Sequence, residues 1–423
     1  MSTPEDPRGR LDRATLATVV REHLLAGHLI DRAGMPLLLG HVGTDVMAQV
    51  AIEEWRGASP LYTRRMQRLL GFTGDDVATI FKGMQLDVGA PPQFLDFRYE
   101  VHDRDHGEFH LAHCGALMDV EPMGDELVEA MCHDIEDPTF PATACATNPR
   151  ARVLPVHRPP RVPADRHPHC RWTVEIDEAN EPEAEPTEAI RLARTRAAGL
   201  PLADPGPPPD PGASTDDGRW RYDGALEDDL DLGSFAAPVL AAVDDEICLQ
   251  GHLLVLSFGL AVTDRLGPEV AATLVRGQLT GVGAVAAGRL RDALGLGDGL
   301  DDVAAVLDLH PALRPRSYVE LQVDRSEGAD GTSLRLTLRD TPALHEDLAP
   351  SWPALLAADP SATGALDAIV QAVAPRARCR PVDGVDDAAA AWDVVLVDEP
   401  ADEPSEVTLT RFSTGAAFRF ADR

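Results

Sequence analysis

The chain of 423 residues is nearly without lysine: Lys82 is alone, and every other basic residue is arginine. Positive charge of either kind is short, with 38 basic residues against 70 acidic ones and a formal charge of −32. So acidic a chain can neither neutralise nucleic-acid phosphates nor be drawn to anionic lipid, and it is expected to bind neither. Long apolar runs are also missing. The longest strongly apolar stretch, Leu253 to Val262, has ten residues, where a membrane span needs about 20. The opening MSTPEDPRGR has no basic start followed by an apolar core, so no signal peptide is expected. These absences point to a cytoplasmic protein, a compartment where clustered cysteines bind metals or act as catalysts more often than they form disulfides. There is no Cys-x-x-Cys, which excludes the standard zinc fingers.

Cysteine and histidine are instead gathered in one place. Between His102 and Cys170 lie four of the six cysteines, Cys114, Cys132, Cys145 and Cys170, and eight of the fourteen histidines. Thiolate and imidazole are the ligands of zinc and related metals. The competing reading is packing, since free cysteine is among the most buried residue types. Redox or catalytic thiols are a third.

Along the chain, helical spacing of apolar residues predicts two helices over residues 13 to 55, more helix over 63 to 70 stopped at Gly71, and a short helix over 75 to 81. The period then changes to two. Leu95, Phe97, Tyr99 and Val101 alternate with Asp96, Arg98 and Glu100 in a half-buried strand that returns through Phe109, Leu111 and Cys114. A helix over 125 to 131, running into a loop at Pro138, and strands at 152–156 and 170–176 follow. Helices, hairpin, helix and hairpin make an α+β fold with an antiparallel sheet. From 178 to 233 the chain is acidic and rich in Pro and Gly, an expected linker without the apolar residues to order itself.

After the linker the pattern returns. GHLIDRAG at Gly27 is echoed at Gly251, NPRARVLPV at Asn148 at Ala374, and RWTVEID at Arg171 at Ala391. A repeat period of roughly 225 residues is a tandem duplication, not a solenoid. The expected layout is an N-terminal domain at 1–177, the linker, and a degenerate copy at 234–423, the two copies forming an intramolecular pseudo-dimer. VTLTRF and AAFRF near the end are expected to form a hairpin. Aligned by hand, Cys114 faces Thr341, Cys132 faces Ala358, Cys145 faces Gln371, His157 faces Asp383 and Cys170 faces Ala390. The second copy keeps the residues that carry the fold and lacks those that could carry a metal.

The candidate ligands are Cys114, Cys132, His157 and Cys170, each at the end of an element. His133 and Glu136 flank Cys132, where His133 reads as a fourth ligand, a hydrogen-bond partner that orients a ligand, or a general base, and Glu136 as a group that activates a metal-bound water. A histidine at a polar helix end favoured by the dipole is the plain alternative. His167 and His169 form a second lip, stiffened by Pro159, Pro160, Pro163 and Pro168. His28, repeated as His252, is expected to be structural. His102 and His106 are expected in a solvated turn, and Cys248 and Cys379 are expected to be inert.

At Cys114, Cys132 and HRPPRVPADRHPHCRW the chain resembles the L-2-amino-thiazoline-4-carboxylic acid hydrolase-like domains. It is more distantly similar to 4-vinyl-reductase-like sensor domains. In the first group a strand ends in Cys, a second Cys follows, and a Cys-Pro-Pro-Asp-like loop leads into a His-Pro…Cys-Arg-Trp strand. Here the loop cysteine is absent and His157 or Arg158 stands near its place, so a ligand set of three cysteines and His157 is implied. The resemblance implies a metal-dependent hydrolase of C–N bonds in a small heterocycle or amide-like substrate. The sensor domains imply instead a binding module with a structural zinc beside a pocket for a small ligand. An iron–sulfur cluster is a further alternative, because cysteine ligation suits it too.

Overall fold

Asp12 opens the first long helix. Its side chain accepts from the Thr15 amide at 2.8 Å and caps α1, Arg13–Leu39. Helix α2, Thr44–Leu70, ends at Gly71, whose φ of 73° places it in the left-handed region that stops a helix. The computed structural model describes residues 6–208, 218–328 and 331–411. α2 runs unbroken through the gap expected between two helical stretches, and Pro60 lies inside it. Helix α3, Val77–Met84, is capped by Asp76.

Strands β1, Leu95–Val101, and β2, His106–Cys114, form the expected hairpin. Three helices follow: α4, Gly115–Val120; α5, Asp125–Glu129; and, after a π-helical turn at Ala130–Ile135, α6, Glu136–Cys145. The expected loop at Pro138 is therefore helix. Pro138 follows directly on the π-helical turn, in helix that runs without a break from Asp125 to Cys145. Strands β3, Ala151–His157, and β4, Cys170–Ile176, complete an antiparallel sheet of order β1-β2-β4-β3.

The second half repeats this plan. Helices α8, Ala237–Leu266, and α9, Pro268–Ala293, answer α1 and α2, and α10, Leu300–Leu309, answers α3. Strands β5, Leu321–Gly328, and β6, Gly331–Arg339, precede α11, Trp352–Ala358, and α12, Gly364–Val373. Strands β7, Ala377–Pro381, and β8, Ala388–Leu396, close a sheet of order β5-β6-β8-β7. Register confirms the duplication residue by residue. Phe109 opposes Trp172 as Leu336 opposes Trp392, and Leu111 opposes Cys170 as Leu338 opposes Ala390. The fold is α+β in two copies. Its last described element is α13, Ser405–Arg411, a helix where a strand was expected. Val407 and Thr410 bury against α9, and Thr410 sits over Gly281, where any Cβ would lie 2.1 Å from its hydroxyl. Packing on α9 thus overrides the strand preference of Val and Thr. The other half of the expected hairpin lies outside the described residues.

The halves are interlocked. α1 packs chiefly on α8 and α9 and only lightly on α2, while α2 packs on α8. Backbones approach closely at Gly57, where a Cβ would meet the Ser257 hydroxyl at 2.2 Å, and at Gly34, where it would meet Gln278 at 2.4 Å. α8 and α9 are long and apolar enough to cross a membrane by length and composition. Their apolar windows are 94% and 67% buried within the fold, which fits the core of a soluble protein.

The linker connects the halves as expected, but much of it is bound to them. Helix α7, Thr187–Leu192, lies on α2, and Arg64 holds Glu185 at 2.8 and 2.5 Å. Leu192, Ala197, Tyr222 and Leu232 are buried. Lys82, the sole lysine, donates to the carbonyls of Tyr222 and Gly224 at 3.0 and 2.5 Å. A few apolar anchors and charged clasps order a segment whose average composition reads as free chain.

One interior carboxyl stands apart. Glu54 of α2 is wholly buried, and neither of its oxygens has a partner among the described residues. Burial, and then the neighbouring Asp31, push its pKa well above the usual 4.5. The folded chain keeps the proton that the unfolded chain loses, so Glu54 erodes stability as pH rises above 4.5. The second copy has buried Gln278 at the matching position, donating to the Ile30 carbonyl at 3.2 Å. Glu54→Gln is expected to raise the melting temperature by about 2–4 °C near neutral pH and to change it little in mild acid. Thermal melts across that range read the difference directly.

Candidate metal centre

Cys114 is the last residue of β2 and caps α4, its sulfur accepting from the Leu117 amide at 3.3 Å. The tight exit needs Gly115, since a Cβ there would lie 2.1 Å from the Phe94 ring. Cys170 begins β4 opposite Leu111, so antiparallel pairing brings the end of β2 beside the start of β4. Cys132 comes from the π-helical turn, which widens the helix by one residue at that point. All three side chains enter one buried cluster with Phe109, Leu117, Val128 and Trp172. Phe109 stacks on Trp172 at 6.3 Å, and Phe140 meets Trp172 edge-on at 5.0 Å.

The three thiols and Glu136 feel one another. Burial first, then the Glu136 carboxylate, pushes the Cys114 thiol up to about 12. Burial and Glu136 also hold Cys132 and Cys170 well above the usual range, and Cys114 raises both further. Burial raises Glu136 itself to about 8, against the pull of the Arg158 guanidinium. Arg158 pairs with Asp137 and lies 5.8 Å over the Trp172 ring. Left to themselves, then, these groups are neutral. A dication among them would offset the cost of ionising three thiols and a carboxyl, which is the chemistry of a zinc-type site. The donors fit such an ion in kind, although their ligand atoms are not gathered within 4.8 Å of one another.

The remaining sequence candidates lie around this group. His157 turns to the Pro168 carbonyl, with Nε2 3.1 Å from the oxygen. His133 turns to the Pro159 carbonyl, with Nε2 at 2.6 Å. Both imidazoles clasp the proline-rich loop between β3 and β4. Cys145 stands outside the group. Its sulfur donates to the Ala151 carbonyl at 3.7 Å, as Gln371 donates to the matching Ala377 carbonyl at 3.2 Å, so the two copies conserve a bond rather than a ligand. His102 and His106 are exposed, as expected. His28 is buried 4.7 Å from the Phe94 ring.

Among the described residues, two sets of three possible ligands do fall within 4.8 Å: His23, Asp244 and Cys248, and Glu100, His102 and Glu108. Sequence alone does not point to the first, because its members lie in different halves. Its carboxylate is already used. Asp244 meets His23 Nδ1 at 2.6 Å and Arg8 at 3.0 Å. Although burial works to raise its pKa, His23, Arg8 and Arg314 hold it below the usual value. A cation would have to displace that pairing beside guanidinium groups, so this network serves the joint between the halves. The second set is exposed or half-exposed.

No known protein family, curated protein or solved structure matches this chain.

Proposed function

We propose that the N-terminal half holds one zinc-type ion through Cys114, Cys132 and Cys170, with Glu136 as the fourth ligand. We further propose that the protein is a cytoplasmic small-molecule-binding or sensing module in which this ion is structural. The observation that supports this reading is that three thiols from separate elements are buried in one cluster beside Glu136, whereas the second copy has Ala390 at the position of Cys170 and, as aligned, Thr341 and Ala358 for Cys114 and Cys132. A set of four protein ligands is the closed arrangement of structural zinc. Two clefts of ligand size, about 610 and 600 Å³, are lined by none of the three cysteines, which supports separating the metal from ligand binding. His157 is the alternative fourth ligand, with Nδ1 left after its bond to Pro168.

Metal analysis of the full chain tests both points. About one ion per chain is expected, retained in His157→Ala and weakened in Glu136→Gln. The reverse order assigns the fourth position to His157. Absence of metal from reduced protein overturns the centre and returns the cysteines to packing. A zinc protein is colourless and an iron–sulfur protein brown, so the same sample excludes one.

The second reading is a hydrolase of a small heterocycle. It is favoured by Glu136, a buried carboxyl beside the three thiols that could take a proton from a bound water. A bound dication would supply Lewis acidity. Under this reading wild-type protein turns over a thiazoline or cyclic amide, and Glu136→Gln, retaining metal, loses about 10²- to 10⁴-fold in rate. Loss of metal together with turnover leaves the role of Glu136 as a ligand.

A further inference from the structure

His169 precedes Cys170 and is 4% exposed, yet its Nδ1 has no partner among the described residues. Its backbone amide donates to the Leu111 carbonyl at 3.0 Å, which anchors it beside the end of β2. Two exposed imidazoles face it. The His167 ring centre lies 5.0 Å away and that of His113 6.2 Å away. Imidazoles bound to one ion at about 2.0–2.1 Å per bond, at a tetrahedral angle, have ring centres about 5 Å apart. The His167–His169 pair already meets that separation, and His113 needs a rotation of about 1 Å on its exposed side. Arg161 grips both oxygens of Glu121 at 2.8 and 2.7 Å, which offsets part of its charge beside His169. His113 and His169 are the chain neighbours of Cys114 and Cys170, and His113 is exposed where Cys114 is buried. The second copy has Asp340 and Ala389 where the first has His113 and His169, so it could not form such a trio.

We propose that His113, His167 and His169 form a second metal site for a divalent transition ion that favours imidazole: zinc, nickel or copper(II). It is independent of the thiol centre and lies at the same strand ends.

The test uses the full chain without an added histidine tag, loaded with one equivalent of zinc and then titrated with nickel(II), with calorimetry and elemental analysis after dialysis. One further equivalent is expected. His113→Ala/His167→Ala changes only exposed side chains, and it should weaken that equivalent by about 100-fold or more while leaving the first in place. His102→Ala should leave both unchanged. The proposal is overturned if no second equivalent binds, if the double variant retains it, or if it moves with His102, which would place the ion at the Glu100–His102–Glu108 set. Cobalt(II) keeps the two readings apart. Thiolate-bound cobalt gives an intense near-ultraviolet band and imidazole-bound cobalt does not, so loss of that band counts against the thiol centre alone.

Discussion

Cys132→Ser is expected to empty the thiol centre and to lower the stability of metal-loaded protein by about 4 kcal/mol, when free metal stands about 1,000-fold above the dissociation constant. The cost arises because metal-binding free energy is also folding free energy where ligands come from separate elements. Cys114, Cys132 and Cys170 come from a strand end, a helical turn and a strand start, so the ion would tie three segments together. The matched control is chelator-treated protein, in which the same change should cost far less. Denaturant titrations with and without zinc, beside elemental analysis, read both quantities. Metal retained by a fully stable Cys132→Ser protein would remove Cys132 from the centre. Affinity should also fall with acid, because the thiols are held above their usual range by burial and must lose protons to bind.

Arg65→Ala is expected to cost about 3–5 kcal/mol, as when one partner of a buried ion pair is removed. Arg65 of α2 reaches Glu246 of α8 with two bonds, at 2.6 and 2.8 Å, and both side chains are less than a tenth exposed. The same guanidinium donates to the carbonyls of Leu200 and Pro201 at 2.8 and 2.9 Å, and Glu246 accepts from the Ala203 amide at 2.8 Å. Truncation therefore strands a carboxylate in the joint and releases the linker from it. Arg65→Met with Glu246→Leu should recover much of the loss, since apolar replacement of a whole buried pair is often neutral or better. A single-variant cost below about 1 kcal/mol would mean that water reaches Glu246 and screens it as it does a surface pair.

Much of this architecture is legible in the sequence, and the exceptions have physical causes. Alternation through Leu95, Phe97 and Tyr99 marks β1 because one face of an antiparallel strand is buried. The echo of RWTVEID at Ala391 places Trp172 and Trp392 in the same register, which local periodicity alone would not do. The helix through Pro138 is hidden because proline reads as a breaker, and the π-helical turn just before it has no local signature in the sequence. The stretch VTLTR at 407–411 reads as strand from Val and Thr, and only the presence of α9 decides for helix. Enrichment of cysteine and histidine locates the thiol group, but not which imidazoles turn aside to clasp a loop. Glu54, and the His23–Asp244–Cys248 network, depend on contacts between segments far apart in the chain, and no local pattern announces them.

The crossing of α1 onto α8 and α9 has a consequence for how such an asymmetric molecule persists. Two separate subunits paired this way would part on dilution, and two gene copies encoding differing subunits would assemble in mixed combinations. Joined end to end, the halves meet at a local concentration fixed by the strap between them, so the unfolding midpoint does not depend on how much protein is present. Every molecule receives one half of each kind. The second half is then free to drift away from its twin in sequence while still supplying the helices against which that twin is built.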